Sequence, residues 1–246
     1  MKKVLIFGCS HSRSFKDVKL NGFNIIIHTH SGASVLGLKK SKSHLEVGKA
    51  IKEELKKDPP TDFVVLKLGQ VDAENIFLYK KHILKSEDSF DIFADKVIES
   101  YDIFIDSLSG IISDKNIVIC GVNPPSPADR KRVIKQYLHT MRGGLPNPEE
   151  FGYLATDQAY LDDLLYENRI LNSRSFNRKL KAFCTKRGIR FFEVFEELLD
   201  KAGKIHKQFE GKNFHIKGTN HTEKKDPADP VVKDIFSKAL AKALSG

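Results

Sequence analysis

The sequence predicts an α/β fold: a three-layer α/β/α sandwich built on a flavodoxin-like, five-stranded parallel sheet. Three observations carry this. Short apolar runs rich in Val, Ile and Phe recur along the chain. Segments of helical length and helical apolar spacing separate them. Several runs stop at Gly or a polar residue. Strands alternating with helices call for a parallel sheet covered on both faces. The 246 residues suit one domain, 1–246.

Each element has its own signal. The predicted strands are VLIFG (4–8), FNIII (23–27), FVVLKLG (63–69), NIVICGV (116–122) and IRFFEVF (189–195). Residues 44–57 carry apolar groups at helical spacing and stop at Asp58-Pro59-Pro60. Residues 91–112 repeat Ile, Phe, Val and Leu at three- and four-residue steps. Residues 170–187 end at Gly188, a helix stop, and residues 229–244 open on Asp-Pro, an N-cap followed by a first-turn proline. Residues 123–169 break the pattern with two loops dense in Gly and Pro, and are expected to be an irregular insertion, either a lid or a peripheral loop.

Composition narrows the classes. Hydrophobic residues make up 40% and charged residues 30%, as in a soluble globular protein. No run approaches the ~18 apolar residues of a membrane span, so no membrane insertion is expected. The apolar run after Met-Lys-Lys is too short for a secretory signal, which places the expected location in the cytoplasm. Cys9, Cys120 and Cys184 are widely spaced and contain no CxxC, so neither a disulfide framework nor a cysteine zinc site is expected. The net charge of +9 reads as a lysine-rich surface or as affinity for an acidic partner. The basic residues are scattered, with KKSK (39–42) and RKR (130–132) the densest groups. Nucleic acid is therefore not the expected partner.

In doubly wound sheets the working residues gather at the carboxyl ends of the strands. Gly8-Cys9-Ser10-His11 stands at the end of the first predicted strand. A hydroxyl nucleophile needs a base and a set of donors for the oxyanion. Ser10 fits a strand-to-loop turn. His221, in GTNHT (218–222), precedes the last helix, which returns to the same edge. Ser10 also reads as a helix cap, and His221 as an exposed loop histidine. His11, His28 and His30 fall near the same edge without a carboxylate to complete a metal set, so no metal site is assigned. Cys9 should point away from Ser10 along an extended chain.

The order of short blocks resembles the SGNH, or GDSL-type, hydrolase superfamily. FGCSHS (7–12) matches the first block, with Ser10 at the nucleophile position. HSGASVLGL (30–38) offers Gly32 for the second. LGQVDAEN (68–75) offers Gly69 and Asp72 for the third, and GTNHT gives His221 for the fourth. VICGVNPPSP (118–127) and residues 174–198 resemble the fourth strand and the helix and strand that precede the histidine. GCSHSRSF and GQVD resemble most the branch associated with bacterial glycan and capsule genes. Three positions depart from the pattern. Cys9 replaces an aspartate, Val71 replaces the oxyanion-hole asparagine, and Gly218 replaces the aspartate that orients the histidine.

The resemblance implies a serine-dependent ester hydrolase or O-acyltransferase acting on carbohydrate O-acetyl or similar acyl groups. Ser10 and His221 are its catalytic pair. Gly32, Gly69, Gln70, Asp72 and Asn75 lie on the oxyanion and substrate side, with Gln70 or Asn75 a stand-in for the missing donor and Asp72 mainly structural. No cofactor is implied, and the partner is a small-molecule or glycan ester. The alternative is a catalytically inactive module of the same fold that binds a glycan or nucleotide.

Overall fold

Side-chain alternation sorts the strands onto two cores. Leu5, Phe7, Val64, Leu66, Ile117 and Ile119 are buried in one, and Val4, Ile6, Phe63, Val65, Val118 and Cys120 in the other. A strand buried on both faces reads as a near-continuous apolar run, as these do. The computed structural model describes residues 1–38, 46–57, 60–126, 153–154, 156–210 and 230–245.

The strands are β1 (Lys2–Gly8), β2 (Phe23–Thr29), β3 (Phe63–Lys67), β4 (Ile117–Cys120) and β5 (Arg190–Phe192). They form one sheet in the order β2-β1-β3-β4-β5, with every pairing parallel. This is the predicted flavodoxin-like order. Gly8 stands in register with Thr29 on β2 and with Lys67 on β3, so three carboxyl ends meet at one edge.

The helices are α1 (Val47–Leu55), α2 (Phe90–Asp106), α3 (Gln158–Asp163), α4 (Tyr166–Arg187) and α5 (Pro230–Ser245). α1, α2 and α4 cover one face through Ile51, Val97, Phe104, Phe176 and Leu180. α5 covers the other through Val232, Phe236, Leu240 and Leu244. Phe15 fills that second core edge-on to Phe236, ring centres 5.1 Å apart. The Ser89 hydroxyl caps α2 by accepting from the Ile92 amide at 3.3 Å. Gly188, at φ 69°, ends α4 as expected. Among the described residues no helix is long and apolar enough to cross a membrane.

One reading needs correction. The stretch 123–169 is not irregular throughout. Asp157 caps α3 by accepting from the Tyr160 amide at 3.1 Å, and α4 begins at Tyr166 rather than at 170. Residues 127–152 and 155 of that stretch lie outside the described residues. The chain after β3 is helical, with π turns at Asp72–Ile76 and Tyr79–Ile83. Such wide turns concentrate at functional sites.

Candidate active site

Ser10 opens a tight 3-10 turn, Ser10–Phe15, directly after β1, and is 9% exposed. The turn fits because Gly8 has no side chain. A Cβ there would lie 2.6 Å from the Lys67 carbonyl oxygen and 2.7 Å from Ser12 Cβ. Cys9 is extended and its side chain is fully buried in the α1/α2 core, away from the crevice edge. Burial pushes its thiol up to about 11, so no thiolate is available there near neutral pH. Serines brace the turn where the first-block aspartate is missing. Ser12 donates to the Cys9 carbonyl from its amide at 3.0 Å and from its hydroxyl at 2.9 Å. The Ser12 and Thr29 hydroxyls share a hydrogen bond of 2.8 Å, which ties the turn to β2.

The loop after β2 joins the same edge. The His30 amide donates to the Gly8 carbonyl at 2.8 Å. Gly32 is exposed and sits at φ 80°, where a side chain would be strained. Three and four residues on, the backbone is held by the loop after β3. The Asp72 carboxylate accepts from the Val35 amide at 2.7 Å and from the Leu36 amide at 3.2 Å. Asp72 is fully buried. Burial pushes its carboxyl up to about 6, against the pull of those backbone donors. Its geometry is that of a strut between the second and third loops.

The loop after β3 starts at Gly69, φ 105°. A Cβ there would fall 2.6 Å from Phe176 Cε1. Gln70 is buried and turned toward the β4 end. Its Nε2 donates to Glu74 Oε1 at 2.6 Å and to the Asn123 carbonyl at 3.2 Å, and its Oε1 accepts from the Asn123 amide at 2.7 Å. Both amide hydrogens of Gln70 are thus engaged inside the loop network. Val71 packs against the α1/α2 core. Asn75 lies half-buried in the first π turn.

Sequence reasoning missed the polar network beneath these loops. Lys67, at the end of β3, is buried. Its ammonium donates to the Gly121 carbonyl, and to Asn123 Oδ1 at 2.8 Å. Asn177 on α4 accepts from the Val122 amide at 2.8 Å and donates to its carbonyl at 3.0 Å. Arg169 Nη2 donates to the Ser126 carbonyl at 2.8 Å. Residues 121–126 thus extend β4 on hydrogen bonds from side chains. Glu74 is fully buried in this network, and burial pushes its carboxyl up to about 7, outweighing the Arg169 charge, the Gln70 hydrogen bond and the Lys67 charge. The available signal was polar residues inside apolar runs: Lys67 in FVVLKLG and Asn123 after VICGV.

The structure therefore brings Ser10, Gly32, Gly69, Gln70 and Asp72 to the carboxyl edge of β1, β2 and β3. The expected base, His221, lies outside the described residues, as does Gly218. Two of the three N-terminal histidines, His28 and His30, stack on Phe7. His28 stacks on Phe7 with ring centres 4.7 Å apart, and His11 Nδ1 lies 3.5 Å from Cys9 Sγ. Burial lowers the His28 and His30 pKa values. Among the described residues no three His, Cys, Asp or Glu side chains come together as a metal set.

No protein-family model and no curated protein matches the chain. Solved structures do. A member of the lipolytic G-D-S-L family from Veillonella parvula superposes with a TM-score of 0.55 at 13% identity, covering 100% of this chain and 99% of that one. A carbohydrate acetylesterase from Sinorhizobium meliloti gives 0.54 at 13% identity, with 100% and 99% covered. The chain has the SGNH hydrolase fold. A GDSL-like lipase from Bacteroides thetaiotaomicron shares the same SGNH fold, with a TM-score of 0.53, 13% identity, and 99% and 88% of the two chains covered. The SGNH fold accounts for the five-stranded order and for the turn that carries Ser10.

Proposed function

We propose that the chain is a serine-dependent ester hydrolase or O-acyltransferase acting on carbohydrate O-acetyl or similar acyl groups. The observation that carries this reading is the placement of Ser10. It opens the turn at the end of a central strand, with the Gly32 and Gly69 loops drawn to the same edge and strutted together by Asp72. A nucleophile at such a turn, faced by backbone amides, is the arrangement acyl transfer requires.

In this reading His221 accepts the Ser10 proton as Oγ attacks the ester carbonyl. The Ser10 and Gly32 amides hold the oxyanion. The alcohol leaves with the proton from His221, and water or a sugar hydroxyl then resolves the acyl-serine. Esterase and transferase differ only in that last acceptor. The carbohydrate substrate class draws support from the resemblance to glycan-associated relatives and from the acetylesterase among the structural neighbours.

The second reading is a binding module without turnover. Val71 cannot donate, and the neighbouring Gln70 amide is engaged elsewhere. A fluorophosphonate probe followed by intact mass separates the two. The expected result is a single adduct on the native chain, none on Ser10→Ala, and strongly slowed labelling on His221→Ala. A folded native chain that takes no adduct would sink the acyl-serine mechanism and leave the binding module.

A further inference from the structure

The departure at position 71 leaves the reaction one donor short, and the structure holds a carboxamide suited to fill the gap. Asn123 follows β4 at the same sheet edge. Its backbone amide and carbonyl are both held by the Gln70 side chain, so it is docked on the loop that carries Val71. Its Oδ1 accepts from the Lys67 ammonium at 2.8 Å. An ammonium has only donors to offer, so the carboxamide must present its oxygen there, and its NH₂ group is forced to face the other way. That Nδ2 is buried, and among the described residues it has no hydrogen-bond partner. Asn123 as a whole is 1% exposed. A buried donor without an acceptor costs stability, and one kept beside a candidate active site calls for an explanation, of which a catalytic partner is one. The lysine charge behind the amide oxygen also polarises the NH₂ group and strengthens it as a donor.

We propose that Asn123 Nδ2 donates to the ester carbonyl oxygen during the Ser10 reaction, replacing the donor that Val71 lacks. This makes Asn123 a catalytic residue, and it rests on the Ser10 reading above. As Ser10 Oγ bonds to the carbonyl carbon, the C=O π pair moves to oxygen and the hydroxyl proton passes to the base. The Nδ2 hydrogen bond strengthens as that oxygen becomes negative. When the pair returns, the bond to the alcohol breaks and the alcohol takes the proton back. Relocating the donor from the β3 loop to the β4 extension also explains why Gln70 and Lys67 spend their side chains on residues 121–126. A preorganised donor must be held rigidly.

The test uses Asn123→Asp and Asn123→Ala with p-nitrophenyl acetate and the fluorophosphonate probe. The aspartate keeps an oxygen on Lys67 and replaces only the donor. Both variants should lose kcat by about 10²–10³-fold, the usual effect of removing one oxyanion donor, with KM within about twofold. Labelling of Ser10 should slow in parallel. The thermal midpoint of Asn123→Asp should stay near native, because an oxygen still meets Lys67, whereas Asn123→Ala also strips the buried ammonium of that acceptor and should melt lower. Retained kcat in both variants would overturn the proposal, as would a KM rise at constant kcat, which assigns Asn123 to ground-state binding. A fall in the midpoint of Asn123→Asp that tracks its loss of activity would assign it a structural role instead. If native protein is labelled at Ser10 and both variants label at the native rate, only this inference fails. If native protein takes no label, the Ser10 reading fails and this inference with it.

Discussion

Asp72 carries the tightest local argument at the residue scale. Its carboxylate is buried, and its acceptors are taken up by two backbone amides from a loop more than thirty positions away in sequence. Removing it leaves the Val35 and Leu36 amides without that partner. Asp72→Ala should therefore destabilise the fold by about 1–3 kcal/mol for each buried donor left unsatisfied, read as a lower urea midpoint. It should also slow fluorophosphonate labelling of Ser10, because Gly32 loses the strut three residues away. An unchanged midpoint would mean the loop holds itself. The third-block aspartate was legible in the sequence as a structural residue. The identity of its partners was not, because a carboxylate in a short motif does not announce which backbone it will meet. Gln70 illustrates the same limit. Its type suited an oxyanion donor, and only its two acceptors, Glu74 and Asn123, reveal that its amide is occupied.

At the scale of elements, the turn after β3 decides where the site can form. Gly69 combines φ 105° with a neighbour 2.6 Å from where a Cβ would stand. Gly69→Ala should then pay both left-handed strain and displacement of the Phe176 ring, a loss on the order of 2–4 kcal/mol in urea unfolding. A loss under about 1 kcal/mol would mean the turn can relax. The strands were legible to within a few residues, because a doubly buried strand is a bare apolar run with a polar or glycine stop. α4 was legible through its glycine cap. The π-turn helix from residue 70 onward was hidden because its polar and apolar residues keep neither the period of an α-helix nor that of a strand. α3 was hidden by its length, six residues behind an aspartate cap in a region marked by Gly and Pro.

The whole molecule should carry an uncommon pH dependence of stability. Asp72 and Glu74 are both raised, to about 6 and about 7, so the folded state holds their protons more tightly than the unfolded state does. The stability they add is full below the ordinary carboxylate range and is lost as pH rises through those two values. His28 and His30 are shifted down, so their contribution runs the other way, present at neutral pH and lost on acidification. The carboxylates are fully buried and the histidines are partly exposed, so the carboxylates dominate. Urea midpoints should be higher at pH 5.5 than at pH 8. Glu74→Gln should remove much of that slope, gaining on the order of 2 kcal/mol at pH 8 and little at pH 5.5. A Glu74→Gln chain that is weaker at pH 8 would show that its charge is needed to balance Lys67 and Arg169. The sandwich and the strand order were legible from the alternation of segments. The buried charge was not, because lysines and glutamates in a chain of net charge +9 read first as surface.

Residues 121–126 draw hydrogen bonds from Lys67, Gln70, Asn177 and Arg169, which sit on two other stretches of the chain, the end of β3 and α4. The segment is thus spliced into the sheet by borrowed parts. Anyone transplanting a β4 loop from another protein of this fold would import the backbone without its fasteners. The graft would leave an ammonium, a guanidinium and two carboxamides facing nothing. Retuning this wall requires exchanging the loop and its four holders as one cassette.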